Sequence, residues 1–239
     1  METNWTTLVV GGTSGIGLAT ARRLAAGGAT VHVASRDLAK VAAVADAAPE
    51  LVAHRVDGSD PAAVAELAAG LAPIDALVVT IASSAGMGPI ASLDLAELRK
   101  GFDEKVIAML TVLQAALPHL AERASITLAG AITARTAMAG TAGIGAVNAA
   151  VESIVRPLTV ELAPRRINAV SPGLVDTPWW DGMPEQARTG YFATAAKALP
   201  VRHVSSADEI AEAVALLATN TSMTGTVLEV DGGARFAQL

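Results

Sequence analysis

Strict alternation is the feature that most constrains this chain. Short apolar, β-branched runs take turns with longer Ala/Leu-rich segments of helical period from Thr7 to Val230. The short runs are Thr7–Val10, Val31–Ala34, Leu51–Val56, Leu77–Ile81, Ser125–Leu128, Ile167–Val170 and Thr226–Val230. The longer ones are Leu18–Ala26, Leu38–Ala47, Pro61–Ala69, a segment Leu95–Leu120 disturbed by Pro118 near its end, one from about Ala146 that stops at Pro164, and Ala207–Ala218. Strands this apolar suit a parallel sheet whose two faces are both covered by helices. The expectation is an α/β fold, one doubly wound domain over residues 1–239 without linkers or repeats.

Composition removes several alternatives. The chain is 52% hydrophobic and 17% charged, far from the profile of a disordered segment. Its formal charge is −6, so no polycation drives binding to nucleic acid or an anionic membrane. It has no cysteine, which excludes disulfides and thiolate chemistry. A mean hydropathy of +0.46 raises the membrane question. The longest uncharged stretches, such as Ala76–Leu93, are broken by Gly, Pro, Ser and Thr, unlike a spanning helix. Met1-Glu2-Thr3-Asn4 lacks a basic n-region, so no secretory signal is expected and the cytoplasm is the expected location.

The first strand and helix are joined by Gly11-Gly12-Thr13-Ser14-Gly15-Ile16-Gly17. Glycines in a first βα turn allow a tight bend and close approach of a pyrophosphate, which the helix N-terminus then stabilises. This makes the sheet a candidate Rossmann dinucleotide site. Nineteen residues beyond Gly17, at the end of the second strand, stands Ser35-Arg36-Asp37. An arginine there matches a 2′-phosphate, favouring NADP over NAD. A competing reading gives the ribose to Asp37 and leaves Arg36 solvated; Asp37 also fits as the cap of the next helix.

With these motifs in place, the whole chain resembles the short-chain dehydrogenase/reductase family. Gly11-x-x-x-Gly15-Ile16-Gly17 is similar to that family's TGxxxGIG turn, with Val10 where Thr is usual. Asp57-Gly58 stands where the family has its adenine-binding Asp. Leu117-Pro118-His119, Val160-Glu161-Leu162-Ala163, Asn168-Ala169-Val170-Ser171-Pro172-Gly173 with Thr177, Thr224-Gly225 and Val230-Asp231-Gly232-Gly233 are further matches. The resemblance implies a cofactor site that includes Thr13, Ser14, Ser35, Arg36, Asp57, Gly58, Thr80 and Ala82, with Pro172, Gly173 and Thr177 beside the nicotinamide. It also implies a homodimer or homotetramer built through the last two long helices and the final strand.

The resemblance fails where the family's chemistry is done. Hydride delivered to a carbonyl creates an alkoxide that must be protonated. The family uses a Tyr, a Lys four residues later, a Ser thirteen residues earlier and an Asn in the preceding long helix. In the register set by Val160-Glu161-Leu162-Ala163, these positions are Ile144, Asn148, Ala131 and, within Phe102-Asp103-Glu104-Lys105-Val106, Lys105. The NNAG segment reads Val79-Thr80-Ile81-Ala82. Lys105 is the one ionisable group among the four and the candidate catalytic residue. The bland reading has its ammonium fill the gap left by the missing Lys and contact backbone carbonyls. Thr133 is a candidate substrate contact near Ala131; as a loop hydroxyl it also fits a local turn.

Of seven aromatic residues, Trp179, Trp180, Tyr191 and Phe192 fall within fourteen positions. In the family this region, here about 174–200, is a substrate-covering lid. Trp179, Trp180 and Tyr191 therefore suit a small apolar or planar substrate, or else anchor the lid to the body. Tyr191, the single phenol, is also a candidate acid. His32, His54, His119 and His203 have no metal-ligand spacing, and no metal site is expected. Two readings follow. One is an NADP(H)-dependent oxidoreductase with a non-standard proton source, acting on an iminium or an activated alkene. The other is a non-redox nucleotide-binding protein on the same fold, whether sensor, scaffold, cyclase or isomerase, or an inactive subunit of an active relative.

Overall fold

The computed structural model describes residues 5–237; Met1–Asn4, on which the signal-peptide expectation rests, lie outside them. Seven parallel strands form one sheet: β1 (Thr6–Val10), β2 (Thr30–Ser35), β3 (Leu51–Arg55), β4 (Ile74–Val79), β5 (Leu120–Ala129), β6 (Arg166–Pro172) and β9 (Val227–Val230). Their order is β3-β2-β1-β4-β5-β6-β9, which reverses direction between β1 and β4, the place where doubly wound sheets open a crevice. Leu8, Val9, Leu77 and Val79 in the two central strands are fully buried, as strands covered on both faces must be.

Helices α1 (Gly15–Ala26), α2 (Leu38–Ala47) and α9 (Ala207–Thr219) pack on one face through Ala21, Leu24, Val44, Ile210, Val214 and Leu217. On the other face α3 (Pro61–Leu71), α5 (Ala108–Ala116) and α6 (Ala142–Ser153) contribute Val64, Met109, Val112, Val147 and Val151. Local chemistry starts several of them. Asp37 and Asp60 accept from the first-turn N–H groups of α2 and α3, with Pro61 opening α3. Asp94 does the same for α4 (Leu95–Gly101), and Ser206 and Glu209 form a capping box on α9.

The segment expected as one helix over Leu95–Leu120 is divided. After α4 comes a π-helical turn, Phe102–Ile107, then α5, then a 3₁₀ turn at Leu117–His119, and Leu120 already belongs to β5. Apolar periodicity carries no signal for the extra residue of a π turn, and such turns gather at functional sites; this one holds Lys105. The helix expected from Ala146 starts at Ala142 and is interrupted at Ile154 before α7 (Val155–Glu161). Gly143 and Gly145 look like breakers but are required by close packing. A Cβ on them would lie 2.4 Å from the Gly86 oxygen and 2.7 Å from the Thr133 oxygen. The fourth strand begins at Ile74 rather than Leu77 because charged Asp75 is absorbed: its carboxylate accepts from the Thr6 N–H at 2.9 Å. Beyond β6 the segment 174–200 holds β7 (Val175–Asp176), a 3₁₀ turn Pro178–Trp180 and α8 (Glu185–Ala198). β7 pairs with β8 (Ser205–Ser206) in a second small sheet. Among the described residues, no helix is long and apolar enough to cross a membrane.

Candidate active site

A cleft of about 700 Å³ opens at the C-terminal edge of the sheet and gathers the candidate residues apart from Asp37. Gly11, Thr13, Ser14, Gly15, Ile16, Gly17, Ser35, Arg36, Asp57, Gly58, Thr80, Ala82, Pro172, Gly173 and Thr177 all line it. So do Lys105, Ala131, Thr133, Ile144, Asn148, Trp179, Trp180 and Tyr191.

At one end the backbone itself makes the cradle. Gly11 has φ +86°, and a Cβ on Gly17 would sit 2.3 Å from the Gly11 oxygen and 2.5 Å from Thr80 Oγ1. Only glycine fits either place. Thr80 ties its own strand to the turn, its N–H and hydroxyl both donating to the Val10 carbonyl. α1 begins here without a side-chain cap, in contrast to α2, α3, α4 and α9. Its first amides and positive dipole end are thus left for an anion. Asp57 accepts from the Ser59 N–H and hydroxyl, which hold its carboxyl below the usual range.

Asp37 is committed elsewhere. Its carboxylate caps α2 through Ala39 and Lys40 N–H groups at 2.9 and 3.2 Å, and it does not line the cleft. Arg36 does, joined by Lys40, which the sequence reading missed. The signal for Lys40 was present, since it lies one helical turn beyond Arg36 and just inside the capped helix.

The other end is built around α6, whose Ile144, Asn148 and Glu152 lie on one face at four-residue spacing. Lys105 is buried, 5% exposed, and its Nζ donates to Asn148 Oδ1 at 2.6 Å and to the Gly130 carbonyl at 3.2 Å. The Lys105 side chain from the π turn and the Asn148 side chain from α6 thus meet. Burial pushes the Lys105 ammonium down to about 8, with Glu152 pulling in the opposite direction. Asn148 Nδ2 donates to Thr133 Oγ1 at 2.8 Å and to the Ile144 carbonyl at 3.0 Å. Behind them Glu152 accepts from Ser171 at 2.6 Å and from Arg135 at 2.8 Å. Arg135 also pairs with Glu229, which holds Arg235. This ionic ladder was not legible in sequence.

The aromatic group packs on itself within the segment 174–200. Trp180 is anchored, its indole N–H donating to the Val175 carbonyl at 3.0 Å, and it packs edge-on against Trp179 and Phe192. Trp179, Trp180 and Tyr191 face the cleft, while Phe192 does not line it. Burial pushes the Tyr191 phenol up, away from the range a proton donor needs near neutral pH. His32 and His54 pair across β2 and β3 at 3.0 Å. Among the described residues no group of three or more His, Asp or Glu side chains could hold a metal.

The seven-stranded parallel order, the glycine cradle and the uncapped helix start define a dinucleotide-binding fold of the Rossmann type. A family profile described as enoyl-(acyl carrier protein) reductase matches residues 10–235. The cis-4-hydroxycyclohexanecarboxylate dehydrogenase of Sinomonas cyclohexanicum is 33% identical over 95% of this chain and 94% of its own length. The short-chain dehydrogenase/reductase ATR9 of Stachybotrys chlorohalonatus is 31% identical over 95% of each chain. A small-chain dehydrogenase solved in complex with NADPH superposes with a TM-score of 0.86 at 33% identity, covering 98% of this chain and 99% of that one. The chain belongs to the short-chain dehydrogenase/reductase family of oxidoreductases.

Proposed function

We propose that this protein is an NADP(H)-dependent oxidoreductase acting on a small apolar or planar substrate, without the family's Tyr–Lys proton relay. The observation that carries it is one cleft that joins the glycine cradle to Arg36 and Lys40, while Asp37, the competitor for the ribose, is occupied as a helix cap. A 2′-phosphate suits two cations at that place, and an arginine fork suits it best. Gly11, Gly15 and Gly17 would take the pyrophosphate, Asp57 the adenine, and Pro172, Gly173 and Thr177 the nicotinamide half. When bound, the reduced nicotinamide supplies a hydride. The substrate wall is Ala131, Ile144, Trp179, Trp180 and Tyr191, apolar where the family places hydroxyls. The segment 174–200 acts as the lid, carrying those aromatics over the cleft. Exposed apolar side chains on the helices, Ile107 and Val160 among them, support self-association as a dimer or tetramer.

The test is a titration of NADPH and NADH followed by fluorescence of Trp179 and Trp180. NADPH is expected to bind at least tenfold tighter than NADH, with the preference abolished in Arg36→Ala. Equal weak binding of both would overturn the cofactor assignment. NADPH binding with no oxidation by imines, enones or ketones would favour the non-redox reading.

A further inference from the structure

Several hydroxyls interrupt the apolar wall around Ala131 and Ile144, those of Thr133, Thr136, Thr141 and Tyr191 among them, and Thr133 is the one that accepts from Asn148. Thr133 sits in the 3₁₀ turn Ile132–Ala134, held by backbone bonds from Ala134 N–H to the Ala131 carbonyl and from Arg135 N–H to the Ile132 carbonyl. The turn is pressed against α6 so closely that Gly145 admits no Cβ beside the Thr133 oxygen. The Thr133 hydroxyl accepts from Asn148, which engages one of its two lone pairs. Its own proton has no acceptor among the described residues, and the side chain lines the cleft.

Behind it runs a directional chain. A cation, Lys105, donates to the Asn148 carbonyl oxygen, and the Asn148 amide N–H donates to Thr133. Each donation polarises the next group, so a hydroxyl at the end of such a chain becomes a stronger donor than an isolated threonine. The Asn148 side chain cannot be turned over without breaking both bonds, because its oxygen faces an ammonium and its nitrogen faces a hydroxyl and the Ile144 carbonyl. The chain therefore delivers positive polarisation into the cleft at one fixed point.

We infer that Thr133 is the catalytic hydrogen-bond donor to a substrate oxygen that becomes anionic, with Asn148 and Lys105 as its positioning residues, and that the substrate is a conjugated carbonyl compound. This rests on the proposed NADP(H)-dependent reading and narrows it. A donor backed by a buried cation opposes an iminium, which is itself positive, and supports a developing oxyanion. An amide N–H does not hand on a proton, so the chain can stabilise an oxyanion but cannot refill a proton lost from Thr133. That suits an enolate, whose oxygen is a weaker base than an alkoxide. The balance is one hydride to the β-carbon and one proton from water to the α-carbon. The carbon–carbon π bond is lost, the carbonyl is regenerated and the nicotinamide is oxidised.

Two measurements test it on the full chain with NADP⁺ or NADPH. In the first, 4-nitrophenol serves as a stable oxyanion mimic and is titrated by its phenolate absorbance in the NADP⁺-loaded protein. The wild type is expected to raise its acidity about tenfold, Thr133→Ser to keep most of that effect, and Thr133→Val to abolish it. In the second, NADPH oxidation is compared with 2-cyclohexen-1-one, cyclohexanone and a cyclic imine. The enone is expected to be preferred, kcat falling about 100-fold in Thr133→Val and about tenfold in Lys105→Met, with KM within threefold and the NADPH affinity unchanged. Thermal unfolding of each variant confirms that it is folded. Normal phenolate stabilisation or enone turnover in Thr133→Val, or preference for the imine, would overturn the inference while leaving the cofactor assignment standing. Failure of the wild type to bind NADPH would overturn both.

Discussion

At the glycine-turn end of the cleft the backbone makes the site, and side chains are kept out by contacts as short as 2.3 Å between the Gly11 oxygen and a would-be Cβ on Gly17. At the Lys105 end the reverse holds. Side chains from a π turn, a 3₁₀ turn and α6 make the site, linked by hydrogen bonds of 2.6 and 2.8 Å over separations of 43 and 15 residues. A backbone cradle tolerates no substitution, so its residues are those the family resemblance predicts. A side-chain network can be exchanged member for member if its polarity is kept. The Lys105–Asn148 pair is such a network, a cation on the π turn held by an amide on α6.

The sharpest break of the cradle is Gly17→Ala. Its Cβ meets two oxygens within 2.5 Å, so thermal unfolding should show a loss of about 3 kcal/mol, the upper range for overpacking. NADPH binding measured by calorimetry should weaken at least 100-fold.

The opposite end is tested by Lys105→Met across pH. The ordinary lysine value is 10.5 and burial lowers it to about 8 in the folded protein. Below pH 8 both folded and unfolded chains hold the proton, and the cost of burying the ammonium is present in full. Between 8 and 10.5 the folded chain releases the proton while the unfolded chain keeps it, so stability rises with pH. Relative to Lys105→Met, the wild type should gain on the order of 3 kcal/mol over that window in urea unfolding. A flat difference would mean that Lys105 is better solvated than its 5% exposure implies.

Arg36→Ala should weaken NADPH about 30-fold and leave NADH within twofold, the size of a lost charge-assisted hydrogen bond. Lys40→Ala should do the same to a smaller extent, about fivefold. A change shared equally by both nucleotides would move these cations away from a 2′-phosphate.

The smallest effect concerns the His32–His54 pair, outside the cleft. Burial lowers both, and the charge of His54 lowers His32 further. The unfolded chain therefore takes up protons first as pH falls below 6.5, and stability is lost in that direction. His54→Gln should reduce the acid sensitivity of the melting temperature between pH 6.5 and 5 without changing nucleotide binding.

Much of this was legible in the chain because it is written locally. The glycine turn, the Arg36 position and the alternation of strand and helix each depend on neighbours a few residues apart. The helix expected from about Ala146 starts at Ala142, because Gly143 and Gly145 pack against Gly86 and Thr133, which are distant in sequence. Charged Asp75 looks like a strand boundary until its bond to Thr6 is seen. Asp37 had two sequence readings, ribose ligand and helix cap, and geometry chose the cap.

By itself the sequence determined the parallel α/β sheet, the place of its first βα turn and the apolar or amide side chains of Ala131, Ile144 and Asn148. These follow from periodicity, glycine chemistry and register, which act along the chain. Only the tertiary structure decided that Lys105 would point inward from a π turn, that Asn148 would answer it, and that Thr133 would stand at the end with no acceptor for its proton among the described residues. A buried ammonium must find partners wherever the fold brings them. Here the partners come from Gly130, just past the end of β5, and from α6, whose meeting is set by how the sheet is wound and not by any local pattern around Lys105.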